Sequence, residues 1–226
     1  MTSCLESPIE LISAGESIRL PAIEGYFTLL PDHPGEGWYK IGGGQLHMEW
    51  NENSKSLFFD VEPRNPELPK GIRASDILFK TLRVLPLDQA RQIYLVQMMD
   101  PRFDKNLEFW TDVNSSPETK EKYRISFGKT KDVFDQWVER ELSTKPNHRI
   151  VLIRIDEHGV VRMGGDESWF KAIKGFSIAL ESGDSKAALQ LLKDNVTNLT
   201  NQFFKERVLV PVKPTRPKKS KKSIQP

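Results

Sequence analysis

The sequence has one cysteine, Cys4, which excludes an intramolecular disulfide framework and a paired-cysteine metal knuckle. It has no run near the ~18 consecutive apolar residues of a membrane span. The opening residues, MTSCLESPIEL, lack the basic segment and apolar core of a secretory signal. These features point to a cytoplasmic protein, to a nuclear one if the host is eukaryotic, or to export by a signal-less route. No HExxH, Walker loop, GxGxxG or Ser-His-Asp elbow is present, so those common catalytic and nucleotide-binding signatures are excluded.

What is present is a 226-residue chain with 38% hydrophobic and 28% charged residues, enough to bury a sizeable core. Its net charge of +2 hides an asymmetry. Six of the 33 Lys and Arg fall in 213–226, which holds no acid, leaving 27 basic against 31 acidic residues in 1–212. The body is mildly acidic and the tail is strongly basic. The tail cations are Lys213, Arg216, Lys218, Lys219, Lys221 and Lys222. Interleaved with prolines, they cannot build a core, and a disordered segment contacting an acidic partner is expected, most simply nucleic acid.

The stretch 38–62, WYKIGGGQLHMEWNENSKSLFFDVE, carries the sharpest pattern. Leu46, Met48 and Trp50 alternate with polar residues, as do Leu57, Phe59 and Val61, so two strands each present an apolar and a polar face. A turn over 51–56 predicts that Trp50 faces Leu57, His47 faces Asp60, Glu49 faces Phe58 and Gln45 faces Glu62. One histidine and three carboxylates then share a face. The triple glycine 42–44 precedes a strand, which predicts a bulge or turn rather than a phosphate cradle.

Elsewhere the patterns are mixed. A short helix is expected near 8–14 and a strand over 26–30. A helix is expected over 73–85 and a short helix passing into a strand over 87–99. Residues 100–121 are polar and turn-rich, the best place for a lobe boundary. A brief strand over 123–127 and a helix over 131–142 follow. RIVLIRI, Arg149 to Ile155, reads as a central strand of a second hairpin ending at Met163. Helices over 166–181 and 185–206 read as an αα-hairpin.

Two resemblances attach to the first hairpin. The strand pair partly resembles the core of PD-(D/E)xK nucleases, with Glu49 as first acid and Asp60-Val61-Glu62 or Glu62-Pro63-Arg64 as second motif, although the lysine is missing. That resemblance implies a divalent metal ion polarising a water. The same face is similar to that of barnase-type ribonucleases, which pair a general base with a general acid and a phosphate-binding arginine, parts that the resemblance gives to His47, Glu49 and Arg64. Around the second hairpin, His148, Arg149, Arg154, His158, Arg162 and Asp166 gather, and Arg154 with Arg162 can hold a phosphate if they share a face.

The sequence therefore predicts one α+β domain over 1–212, a mostly antiparallel sheet built from hairpins 45–62 and 149–163 with helices on one side, and a tail over 213–226. The functional expectation is a non-catalytic interaction protein with a protein partner and a nucleic-acid-binding tail, no membrane span and no cofactor. The competing expectation is a nuclease-like enzyme or toxin-type effector using His47, Glu49, Asp60 and Arg64, with a divalent cation.

Overall fold

Period-two alternation dominates the chain, and the structure follows it around a complete circuit. A computed structural model describes residues 5–30, 45–62, 81–99, 148–164, 167–204 and 207–213. It also describes helical positions 117, 118, 121, 124, 132, 135, 136 and 139. For residues 29, 30, 45, 59–62, 207 and 208 the backbone alone is described. The strands are β1 (Leu5–Ser7), β2 (Gly25–Leu30), β3 (Gln45–Asn51), β4 (Ser56–Glu62), β5 (Thr81–Asp88), β6 (Ile93–Met99), β7 (His148–Ile155), β8 (Val161–Gly164) and β9 (Arg207–Pro211). From β2 to β9 each pairs antiparallel with the next, and β9 returns to β2. The result is a closed up-and-down barrel of eight strands, which removes the edges an open sheet would expose.

This corrects the expected α+β class. Both hairpins exist, but they are parts of one barrel wall rather than an open sheet. Residues 81–85, expected to end a helix, belong to β5 (Thr81–Asp88), and β9 (Arg207–Pro211) follows where only the end of a helix near 206 was expected. The helical reading of 73–85 rested on Ile77, Leu78, Leu82 and Leu85. In the barrel Leu82 and Val84 point inward while Arg83 points outward to a polar partner, so period two wins. Residues 8–14 are not a helix, and Arg124 is helical rather than in a strand. Positions 132, 135, 136 and 139 are helical as expected. The triple glycine 42–44 and the loop 100–116 lie outside the described residues.

Strand β7 changes partners along one edge. Its later part pairs with β8 through Leu152↔Gly164 to Ile155↔Val161, and its first part pairs with β1 through Leu5↔Ile150 to Ser7↔His148. The handover sits at Gly164. A Cβ there would lie 2.6 Å from the Phe203 carbonyl oxygen and 2.8 Å from the Phe203 and Phe204 rings, so only glycine lets the chain cross so closely.

Three short helices cover the outer face of β6 and β7: α1 (Glu167–Ala172), α2 (Phe176–Glu181) and α3 (Ser185–Val196). The single helix expected over 166–181 is broken at Gly175, whose φ is +85°. The helix expected over 185–206 stops at Val196, and a 3-10 turn at Asn201–Phe204 leads to β9. Phe170, Phe176, Ala188 and Leu192 pack on Leu95, Ile150 and Leu152. Inside the barrel Phe27, Met48, Trp50, Leu57, Val84, Val96, Val151 and Ile153 form a second apolar cluster. Among the described residues no helix is long and apolar enough to cross a membrane.

The two ends of the barrel differ. At one end the strands are joined by the short turns 52–55, 89–92 and 156–160. Each turn starts with an Asx side chain that accepts from amides ahead of it. Asn51 accepts from Asn53 and Ser54, Asp88 from Arg91, and Asp156 from His158 and Val160. The N-terminal segment then crosses this end. Ile18 donates to the Val84 carbonyl at 2.9 Å, and the 3-10 turn Pro21–Ile23 places Leu20 and Ile23 in the interior cluster. The opposite end carries the long connections 31–44, 63–80, 100–147 and 165–206.

Candidate functional site

The register of β3 and β4 is the one the alternation predicts. Trp50 lies opposite Leu57, His47 opposite Asp60, Glu49 opposite Phe58 and Gln45 opposite Glu62. Trp50 and Leu57 point into the barrel, so His47 and Glu49 belong to its outer face. His47 is half-buried and its ring stacks on Tyr26, the residue opposite it on β2, at 4.4 Å between centroids and 17° between planes. That stack fixes the imidazole as part of a cross-strand pair. Glu49 is exposed. Backbone pairing therefore brings His47 and Asp60 together, with Glu49 one pleat along, on a convex wall. The side chains of Asp60 and Glu62, and all of Arg64, lie outside the described residues. Among the described residues no group of three or more His, Cys, Asp or Glu is gathered as metal ligands.

Arg154 and Arg162 are direct cross-strand partners and share the outer face. Each is already engaged. Arg154 lies 5.6 Å over the Phe204 ring and donates to Asn201, while Arg162 approaches Asp156 at 3.5 Å. Partial burial works to raise the Asp156 carboxyl. The Val160 and His158 amides and the Arg162 charge outweigh it and hold the group below its ordinary range. His148 is buried, His158 is exposed on the turn, and Asp166 lies outside the described residues. Arg154 and Arg162 thus brace the β7–β8 pair and its turn.

The basic tail leaves from the sealed end. Pro211 pairs with Phe27, Val212 donates to the Tyr26 carbonyl at 2.8 Å, and Lys213 is exposed. Arg216, Lys218, Lys219, Lys221 and Lys222 lie outside the described residues. Among the described residues of the sealed end, three cations pair with acids. Arg19 meets Glu24 at 2.8 Å, Lys55 meets Glu52 at 2.9 Å, and Arg91 meets Asp88 at 2.6 Å. The Arg91 guanidinium and amide hold the Asp88 carboxyl below its ordinary range, partial burial acting weakly the other way. Lys55 first and the Trp50 indole second do the same for Glu52. The indole contact falls outside hydrogen-bond geometry, so the Trp50 Nε1–H has no well-formed partner.

The residues that sequence reasoning missed are those that hold the N-terminal segment to the barrel. Fully buried Gln97 accepts from the amides of Leu11 and Ile12 at 2.9 and 2.8 Å and donates to the Ile9 carbonyl. Arg83 beside it pairs with Glu10 and donates to the Ile12 carbonyl. A lone polar residue inside the apolar run IYLVQMM was the available signal for Gln97, since a buried amide needs partners.

The chain matches no protein-family model, and no curated protein or solved structure is significantly similar to it.

Proposed function

We propose that this is a non-catalytic binding protein whose C-terminal cations contact a polyanion, with nucleic acid the favoured partner. The observation that carries this reading is the contrast in charge between the sealed end and the tail. Arg19, Lys55 and Arg91 are neutralised by neighbouring acids, whereas the six cations of 213–222 share their segment with no acid. A polycation anchored by β9 to the barrel can follow a phosphate backbone without a shaped groove. The reading places the protein in the cytoplasm, or in the nucleus of a eukaryotic host, and leaves the barrel wall free for a protein partner.

Fluorescence anisotropy with labelled single-stranded RNA and duplex DNA tests it. Six phosphate contacts predict that log K falls with log salt with a slope of about −5 on duplex and about −4 on single strands. A full-length variant with all six cations replaced by glutamine is expected to lose the binding. Binding that survives that replacement would place the contact on the barrel and defeat the proposal.

The nuclease reading keeps one supporting observation, the juxtaposition of His47 with Asp60 across β3 and β4. The stacking of His47 on Tyr26 favours the structural role. Cleavage assays with Mg²⁺, with Mn²⁺ and with chelator separate the two, because only the nuclease reading predicts cleavage abolished by His47→Ala.

A further inference from the structure

Strands β2 to β9 close on one another without residues 5–18. This N-terminal arm lies outside that circuit and attaches to β7, β6 and β5 in turn. Its first residues, β1, pair with the start of β7. Gln97 of β6 then accepts from the Leu11 and Ile12 amides and donates to the Ile9 carbonyl. Arg83 of β5 pairs with Glu10 and donates to the Ile12 carbonyl at 2.9 Å. Last, the Val84 amide donates to the Ser17 hydroxyl at 3.2 Å and the Val84 carbonyl accepts from Ile18 at 2.9 Å. Among the described residues β4 pairs with β5 only at Leu57↔Leu82 and Phe58↔Thr81, so the arm takes the edge of β5 at Val84. Water can replace the bonds to Gln97, Arg83 and Ser17 when the arm lifts, and the ladders of the barrel circuit are untouched. One cost falls on the docked state. Arg83 is buried against the arm, and its Nε–H has no hydrogen-bond partner among the described residues.

The residues that follow are held differently. Arg19 grips Glu24 through two bonds at 2.8 and 2.9 Å, and the Glu24 amide donates to the Pro21 carbonyl. Leu20 and Ile23 sit in the interior cluster. That plug is secured by its own bonds and by the barrel, so the arm's separate attachment ends at Ile18. We infer that residues 5–18 form a strap that lifts from the closed barrel as one cooperative unit while the plug 19–24 stays seated. Lifting bares the Val84 amide and carbonyl on β5 and the start of β7, strand edges that the docked strap keeps paired. It also withdraws Leu5, Leu11 and Ile12 from the cluster they share with the helices. The opening therefore exposes apolar surface and carries a denaturant dependence of its own, smaller than that of the whole barrel.

Native-state hydrogen exchange of the full, unmutated chain, followed by NMR across low guanidinium concentrations, tests this. The amides of Leu11, Ile12 and Ile18 report on the strap, and those of β6 and β7 report on the barrel. The three strap amides are expected to share one opening free energy and one denaturant slope, shallower than the slope of β6 and β7. They are expected to exchange at least about tenfold faster than the most protected barrel amides. Glu10→Gln removes the ion pair with Arg83 and spares the acceptors of all three amides. It should speed the three by a common factor of about threefold to tenfold. Exchange along the same line as β6 and β7 would overturn the inference, because the arm would then open only with global unfolding. Unrelated free energies with no denaturant slope would also overturn it, since each amide would then open alone. So would a response to Glu10→Gln at Leu11 and Ile12 that leaves Ile18 unchanged.

Discussion

The two ends of the barrel are built by different means. At the sealed end three tight turns, each begun by Asn51, Asp88 or Asp156, are specified within a few residues, and a crossing segment plugs the opening. At the other end four long connections join the same strands, and one of them, 165–206, supplies the helices that cover β6 and β7. Local side-chain-to-backbone bonds are enough to reverse a strand, whereas covering a wall takes a long excursion with its own apolar face. The sealed end is thus the platform from which β9 leads out of the barrel.

The largest effect expected on this contrast comes from the plug's attachment. Gln97→Leu leaves the Leu11 and Ile12 amides without partners, while the Ile9 carbonyl keeps the Ser7 hydroxyl; each buried orphan costs about 1–3 kcal/mol, so a loss of about 2–6 kcal/mol is expected in denaturant unfolding. Next comes Gly164→Ala near the opposite end. Its methyl would meet the Phe203 carbonyl and two rings, and overpacking of this kind costs about 1–3 kcal/mol. Arg91 ties the end of α3 to the sealed end through the Val196, Thr197 and Leu199 carbonyls. Arg91→Ala is expected to cost about 1–2 kcal/mol, reduced from the charged-bond range because the side chain is over a third exposed.

Acid should weaken the sealed end specifically. Asp88 and Asp156 are both held below the ordinary carboxyl range in the folded protein. Groups of that kind contribute stability that is complete above the unfolded pKa and is lost as pH falls through the folded one. Amide exchange of turns 89–92 and 156–160 should therefore accelerate below about pH 4, before the helices α2 and α3 open. Equal acceleration everywhere would show that these carboxylates do not govern the turns. The smallest effect is Lys55→Ala. Its pair with Glu52 is well over half exposed on the acid side and screened by solvent, so the midpoint should hardly move.

Much of the local structure was legible in the sequence. The alternation in 45–62 predicted both strands, their turn and the register of His47 with Asp60, because one buried face leaves a single admissible pairing. RIVLIRI read correctly as a central strand. Barrel closure was not legible, since it depends on β9 finding β2, and the run VLVPV behind a helical stretch had no local mark of that partner. Pro86 and the inward–outward spacing of 81–88 fitted helix and strand patterns alike, and only the outward demand of Arg83 for Glu10 and Ile12 decides between them. At the candidate site, the residues on one face were foreseen. The Tyr26 stack that holds His47 was not, because it joins residues on strands whose pairing short-range pattern does not specify.

The most direct test of the account is nucleic-acid binding and cleavage measured together, on the full chain, the six-cation glutamine variant and His47→Ala. The account predicts salt-sensitive binding without cleavage, lost in the glutamine variant and retained in His47→Ala. Cleavage abolished by His47→Ala but kept by the glutamine variant would contradict it and make the outer face of β3 and β4 an active site.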